Sequence, residues 1–365
     1  MQGITEFLAR VAPVQTPVLV VRRAALMANL AAMQAACDAA GVRLRAHGKM
    51  HKCSELARLQ VAGGAVGLCC QTVGEAEAYA AAGIPDLLVT APVPAWGWLR
   101  LAALAGRVRV AAVVDSPAQL ATASAAAGAA GVTLGIAIDV DPGMGRAGVA
   151  PALAPALAAQ VGALPGLGYY GIQAYCGHHQ HLPGGERRRA AHEGWSLVLR
   201  ELVATLRANG LAPPQITGGG TGTCALDLAA GLYTEVQAGS YALMDVEYDE
   251  CGGPDGEWPF APALFMAASV VSAQHATHIT CDAGHKALHP NGPAPRVLHP
   301  AGSQYRPAGD EHGAILPPGG VGEGDLVWLQ PGHVDPTVAL HDAYLVADED
   351  GRLERWAIDA RRVTP

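Results

Sequence analysis

Lysine is nearly missing from this chain: three occur in 365 residues, at positions 49, 52 and 286. Charged residues of all kinds make up only 15%, and the net charge is a mild −8. The longest basic block is Arg187-Arg188-Arg189, too short to point to a nucleic-acid partner, and it reads as a solvated helix face. No apolar stretch reaches the length of a membrane span without Gly, Pro or charge, which argues against membrane insertion. Residues 1–17 lack a basic region followed by a long apolar run, so an unexported protein is expected. Eight cysteines at 37, 53, 69, 70, 176, 224, 251 and 281 lack paired zinc spacing, and the chain is far larger than a disulfide-stapled scaffold. They read as reduced thiols, and the expected location is cytoplasmic.

What is abundant is apolar: half the residues, enough to bury a large core in one large domain or two. Val18 to Val21 fits a buried parallel strand, and Leu26, Leu30, Met33 and Cys37 then share one helical face until Gly41. Val42 to Arg45 leads into Lys49, and Ser54 is placed to cap a helix ending near Gly63. Ala65 to Gln71 is the next strand, followed by the capping-box pair Thr72 and Glu75. Leu87 to Thr90 and Val108 to Val114 continue the alternation, with Ser116-Pro117 opening an Ala-rich helix. Val132 to Val140, Gly168 to Ala174, Gln215 to Thr217 and Thr234 to Val236 are the later strands.

This repetition predicts an α/β fold, a closed (β/α)8 TIM-like barrel over residues 17–250, with an open doubly wound sheet as the alternative. After Gly252 helical periodicity fades, and Leu264 to Val271, His278 to Cys281, Asp325 to Leu329 and Ala343 to Val346 predict a C-terminal β domain over 251–365. In such barrels chemistry gathers at the C-terminal ends of strands. Lys49, Gln71, Arg146, Tyr175 and Gly218 to Gly222 are all expected there.

Two of the three lysines lie in His47-Gly48-Lys49-Met50-His51-Lys52-Cys53. A lysine whose pKa is lowered can form a Schiff base with a substrate carbonyl or with pyridoxal phosphate (PLP), and neutral imidazoles beside it would help. Thr217-Gly218-Gly219-Gly220-Thr221-Gly222-Thr223 follows a strand without the Gly-Lys-Ser/Thr ending of a nucleotide loop. It is either a cradle for a monoester phosphate or a glycine-rich turn with no ligand; Gln237 to Tyr241 could add donors. His333 and Asp335, two apart in an expected extended segment, can share a divalent cation (Mn²⁺, Mg²⁺ or Zn²⁺) or simply bond to each other. Tyr175 to His181 carries three imidazoles, of which one could move a proton near neutral pH. His178 and His179 read as solvent-exposed.

In combination these motifs resemble the D-threonine aldolase and D-serine dehydratase family. Thr16-Pro17, His-Gly-Lys-x-His-Lys, Cys69-Cys70-Gln71, Asp139-x-Asp141-x-Gly143-x-Gly145-Arg146, Gln173-Ala174-Tyr175, the glycine run, Gln237 to Tyr241, Asp310-Glu311-His312-Gly313 and His-Val-Asp-Pro-Thr occur in the family's order, from Thr16 to the C-terminus. The resemblance implies a PLP enzyme with an alanine-racemase-like barrel, a β domain that also takes residues 1–16 and carries the metal pair, and a homodimer.

Residue by residue, it makes Lys49 the Schiff-base lysine and Lys52 a supporting charge. Thr217, Gly218, Gly219, Gly220, Thr221 and Gly222, with Ser240 and Tyr241, would hold the phosphate. Gln71, Arg146 and Tyr175 would contact the cofactor ring or its substituents. His333 and Asp335 match the metal pair, Mn²⁺ foremost, and His181 the base of the aldolase branch. The implied reaction is retro-aldol cleavage of a small D-β-hydroxy-α-amino acid to glycine and an aldehyde. Dehydration of D-serine or D-3-hydroxyaspartate is the competitor, and a PLP carrier without turnover the third reading. Dehydratases of the family tend to carry cysteine where Asp335 stands, which favours cleavage. Trp96 and Trp98 depart from the usual polar segment, either lining a pocket for a bulky β-substituent or packing in the core.

Overall fold

The structure, a computed structural model, describes residues 2–11, 14–253 and 256–361. The expected domain spans also include residues 1, 12–13, 254–255 and 362–365, which lie outside the described residues.

Helix α1 (Gln2–Leu8) precedes β1 (Val18–Arg22) and α2 (Arg23–Ala40). Strand and helix then alternate: β2 (Arg43–His47), α3 (Ser54–Ala62), β3 (Gly67–Cys70), α4 (Val73–Ala81), β4 (Asp86–Val89) and α5 (Ala95–Ala105). The alternation runs on through β5 (Arg109–Val114), α6 (Pro117–Ala130), β6 (Leu134–Asp139), α7 (Ala154–Val161), β7 (Leu167–Ala174), α8 (Gly185–Ala208), β8 (Gln215–Gly218), α9 (Cys224–Ala230) and β9 (Glu235–Val236). Strands β2 to β9 close into a parallel barrel, with β9 pairing back onto β2. Gly41, left-handed at φ 65°, ends α2 where the sequence predicts a stop. Thr72 and Ser116 accept the N–H groups of Glu75 and Gln119 at the starts of α4 and α6. At α3 the expected cap differs: Ser54 donates its own N–H to Asp359 Oδ1 at 2.9 Å, so a carboxylate from the far end of the chain serves this helix start.

Past α10 (Val246–Cys251), the chain builds β10 (Leu264–Ser272), β11 (Ile279–Cys281), β12 (Arg296–His299), β13 (Gln304–Pro307), β14 (Gly313–Leu316) and β15 (Leu326–Gln330). Short helix α11 (Val334–Val338), β16 (Ala343–Ala347) and β17 (Leu353–Ala357) complete it. These strands form a nine-stranded sheet with β1 at its centre.

That placement corrects the expectation that 18–21 belongs to the barrel. β1 runs antiparallel to β10 and parallel to β16. Leu19 and Val21 face the core shared with the barrel, while Val20 faces a second core with Phe7, Leu8, Phe265 and Trp328. A strand buried on both faces reads as an unbroken apolar run whichever sheet it joins, so its pattern could not tell barrel from sheet.

The barrel interior is polar at both ends. Toward the N-terminal ends of the strands, Arg45 is enclosed by Glu235 at 3.0 Å and Asp86 at 2.8 Å. Higher up, Gln173 donates to Thr90 O and Asp139 Oδ1, and Gln237 donates to Gln173 Oε1 and Thr217 Oγ1. This bonded layer forms the floor beneath the barrel mouth. The second sheet leans on the same mouth: Tyr344 donates its hydroxyl to His51 O at 2.7 Å, and Ala360 its N–H to Lys52 O. All eight cysteines are unpaired and buried, and no described helix is long and apolar enough to cross a membrane.

Candidate active site

Beyond β2 the chain turns through Gly48, which is packed so closely that a Cβ there would lie 2.6 Å from the Tyr79 ring. The Tyr79 hydroxyl donates to Gly48 O at 2.8 Å. The turn presents Lys49 to a cavity of about 160 Å³ that His181, Gly220, Thr221, Ser240, Tyr248, His333 and Asp335 also line. A smaller recess beside it is lined by Lys49, Gln71, Arg146 and Tyr175 over the Gln173 and Gln237 floor. The expected ring-contact residues therefore meet around one amine.

Lys49 Nζ lies 3.0 Å from Asp335 Oδ2. Burial acts to lower the ammonium's pKa, but Asp335 overcomes it and holds the group above its ordinary value. The neighbouring imidazoles are buried and neutral. Burial, with Lys49 and Lys52 nearby, holds His47 well below 6.5, and burial takes His51 down to about 3. Lys52, at φ 49°, turns away to pair with Glu75 at 2.6 Å. Lys49 alone of the three lysines faces this cavity.

Arg146 reaches the recess from a loop wound around Asp141, whose carboxylate accepts the N–H groups of Gly143, Met144 and Gly145. Its guanidinium sits 5.5 Å from the centre of the Tyr175 ring. The glycine run divides: Gly220 and Thr221 line the cavity, whereas Thr217 and Gly218 are buried and do not. The Thr217 hydroxyl is held by Gln237, and Gly222 donates its N–H to Gln180 Oε1 at 2.9 Å. Gly219, at φ 67°, makes the turn between strand and cradle. Ser240 lines the cavity, but Tyr241 does not match its expected role. Its ring is fully buried, its hydroxyl accepts from Gln60, and its N–H is given to Thr221 Oγ1.

His181 packs its ring 4.5 Å from that of Tyr248. Among the described residues its Nε2 is buried with no hydrogen-bond partner, and its Nδ1 lies 3.8 Å from Glu247 Oε1. Glu247 Oε2 is 3.5 Å from His333 Nδ1 and is likewise buried without a hydrogen bond. Burial lowers the pKa of both imidazoles, with Glu247 opposing it in each. His333 is extended as expected, but Asp335 lies in the first turn of α11 rather than on a strand. Both still reach the cavity. Among the described residues no group of three or more His, Cys, Asp or Glu side chains is gathered for a metal ion. His333 and Asp335 offer a two-residue nitrogen and oxygen donor set.

Glu247 escaped the sequence reading because its relation to His181 and His333 is made only by folding. Asp245 places it, capping α10 through the Tyr248 N–H and joining it to α11 through the Val334 N–H. Arg188, read as part of a solvated face, is fully buried. His179 is buried too, leaving only His178 exposed. Trp98 is core and Trp96 is surface, so neither lines this cavity.

An amine-bearing turn that opens beside a tight glycine cradle, where a Cβ on Gly220 would lie 2.5 Å from Gln180 Oε1, suits a phosphorylated carbonyl cofactor held at both ends. Barrel and site together define the alanine-racemase-like class of PLP enzymes. More narrowly, the chain belongs to the alanine racemase family: residues 21–246 match "Alanine racemase, N-terminal domain", and residues 263–347 match "Putative serine dehydratase domain". It is 41% identical over 358 residues to a D-threonine aldolase of an Arthrobacter species, covering 96% of this chain and 93% of that one. A 3-hydroxy-D-aspartate aldolase of Paracoccus denitrificans is 39% identical, with 95% and 92% covered. The crystal structure of D-threonine aldolase from Filomicrobium marinum superposes with a TM-score of 0.92 at 36% identity, covering 95% of this chain and 96% of that one.

Proposed function

We propose that this protein is a PLP-dependent, divalent-metal-assisted carbon–carbon lyase that cleaves D-threonine or a related D-β-hydroxy-α-amino acid to glycine and an aldehyde. The observation that carries this reading is His181 Nε2, buried and unpartnered in the cavity that Lys49, His333 and Asp335 line. Lys49 would hold the cofactor carbon, Gly220, Thr221 and Ser240 its phosphate, and Gln71, Arg146 and Tyr175 its ring. When bound, PLP supplies a sink for the electron pair left on Cα. His333 and Asp335 would hold the metal, which supplies polarisation of an oxygen; Mn²⁺ is the first candidate and Mg²⁺ or Zn²⁺ the alternatives.

His181 accepts the β-hydroxyl proton at Nε2. Its burial keeps the imidazole neutral near pH 7, and Glu247 lies beside the opposite ring nitrogen to accommodate the charge gained. As the proton leaves, the O–H electrons form the aldehyde C=O, the Cα–Cβ bond breaks, and protonation of Cα gives glycine.

The match of residues 263–347 to a putative serine dehydratase domain favours dehydration as the second reading. There Lys49 would remove the α-proton and hydroxide would depart. The proposal also includes a homodimer, which sedimentation equilibrium tests.

Product analysis separates the reactions. Protein supplied with PLP and Mn²⁺ is given D-threonine beside L-threonine, with a chelated control and Lys49→Ala. Glycine and acetaldehyde from the D isomer alone, lost in both controls, are expected; 2-oxobutyrate and ammonia would instead establish dehydration.

A further inference from the structure

Arg188 is 0% exposed, and among the described residues its guanidinium bonds backbone carbonyls and no carboxylate. Nε and Nη2 donate to Leu182 O at 3.2 and 2.8 Å, Nη1 to Gly222 O at 3.2 Å and Gly252 O at 2.9 Å, and Nη2 also to Cys251 O at 3.1 Å. The group lies against the Trp258 ring, 5.5 Å from its centre. These carbonyls belong to three separate segments. Leu182 follows His181, Gly222 closes the glycine run, and Cys251 and Gly252 end the helix that carries Glu247 and Tyr248.

Gln180 makes the reciprocal connection. Buried at 1% exposure, it accepts the Gly222 N–H and donates to Thr223 Oγ1 and Cys176 O. Thr223 in turn donates to Asp227, which is bonded to His192. Both polar groups of Gly222 are thus held from the His181 side: the N–H by Gln180, which precedes His181, and the C=O by Arg188, which also binds Leu182 O. Burying a guanidinium is a poor route to stability alone, since apolar replacements of buried charges are often as stable. Its five-donor fork is, however, suited to fixing several acceptors in one geometry.

We propose that Arg188 and Gln180 are positioning residues that fasten the cofactor-phosphate cradle to the His181 segment, so that phosphate docking and placement of His181 are coupled. The inference rests on the proposed function for the role of His181, but the fastening can be measured without turnover. PLP affinity is titrated by cofactor absorbance in the full-length protein, its Arg188→Lys and Gln180→Ala variants, and the double variant. Each single change is expected to weaken PLP binding about tenfold, and the double change by little more than the larger single, because both release Gly222. With substrate and saturating PLP, kcat falls in each variant while KM moves less.

Multiplying effects in the double variant would overturn the coupling, as would PLP affinity within about threefold of the parent in both single variants. Should Arg188→Lys fail to fold, Gln180→Ala decides alone: loss of affinity with kcat unchanged at saturating PLP overturns the proposal. Parent enzyme that releases no glycine would count against the proposed reaction, while the affinity cycle still decides the fastening.

Discussion

Replacing Gly222 by alanine puts the cradle under a load whose size follows from its surroundings. A Cβ there would sit 2.6 Å from the Gln180 carbonyl carbon and 2.7 Å from its Cα, closer still to the oxygen, against ordinary contact at 3.4 Å and beyond. The obstacle is backbone, so no side-chain rotation relieves it, and the run must retreat by about 1 Å or more. The bonds it would lose are the Gly222 N–H to Gln180 and the Arg188 guanidinium to Gly222 O. At about 1 kcal/mol for the neutral bond and about 2 for the charged one, stability falls by about 3 kcal/mol. Retreat also draws the cradle from the cofactor phosphate; one charge-assisted bond of about 2 kcal/mol corresponds to roughly a 30-fold loss in PLP affinity. Urea denaturation reads the first quantity and absorbance titration of PLP the second. Gly194→Ala is the control, because its Cβ would meet nothing within 4 Å on α8, and it should gain up to about 1 kcal/mol of stability with affinity unchanged. Gly222→Ala with parental stability and PLP affinity would refute the reasoning.

Two further outcomes concern charge. Burial raises the Asp139 carboxyl from 3.8 to about 6, so its contribution to stability is complete below pH 4 and is lost as pH rises through 6, amounting to about 3 kcal/mol for a shift of about two units. Asp139→Asn, whose amide oxygen can still accept from Gln173, should therefore gain on the parent between pH 4 and 7 in urea denaturation; a pH-independent difference would exclude this. Asp335→Ala should abolish the response of activity to divalent metal and reduce metal retained in equilibrium dialysis, while the parent loses activity on chelation and recovers it with Mn²⁺.

The barrel was legible because its units repeat local signals, such as the Thr72 and Ser116 caps and the left-handed Gly41. Motifs at strand ends likewise placed Lys49, Gln71, Arg146 and Tyr175 at one mouth. What stayed hidden depends on contacts between distant segments. β1 was read into the wrong sheet because burial on both faces erases alternation. Arg188 sits in a charged triplet with a helix around it, and nothing local says that its face meets Gly222 and Cys251. Tyr241 illustrates the same limit within a motif: Ser240 turns to the cavity and the next ring turns to the core. Asp359, which accepts the Ser54 N–H from 305 residues away, has no signature at either end.

The scarcity of lysine makes the central assignment open to one direct measurement. Holoenzyme is reduced with borohydride to fix the cofactor to its lysine, digested, and mapped by mass spectrometry. The account predicts the PLP mass on Lys49, which faces the cavity, with Lys52 held by Glu75 and Lys286 by Glu311 both unlabelled. Label on Lys52 or Lys286 would contradict it.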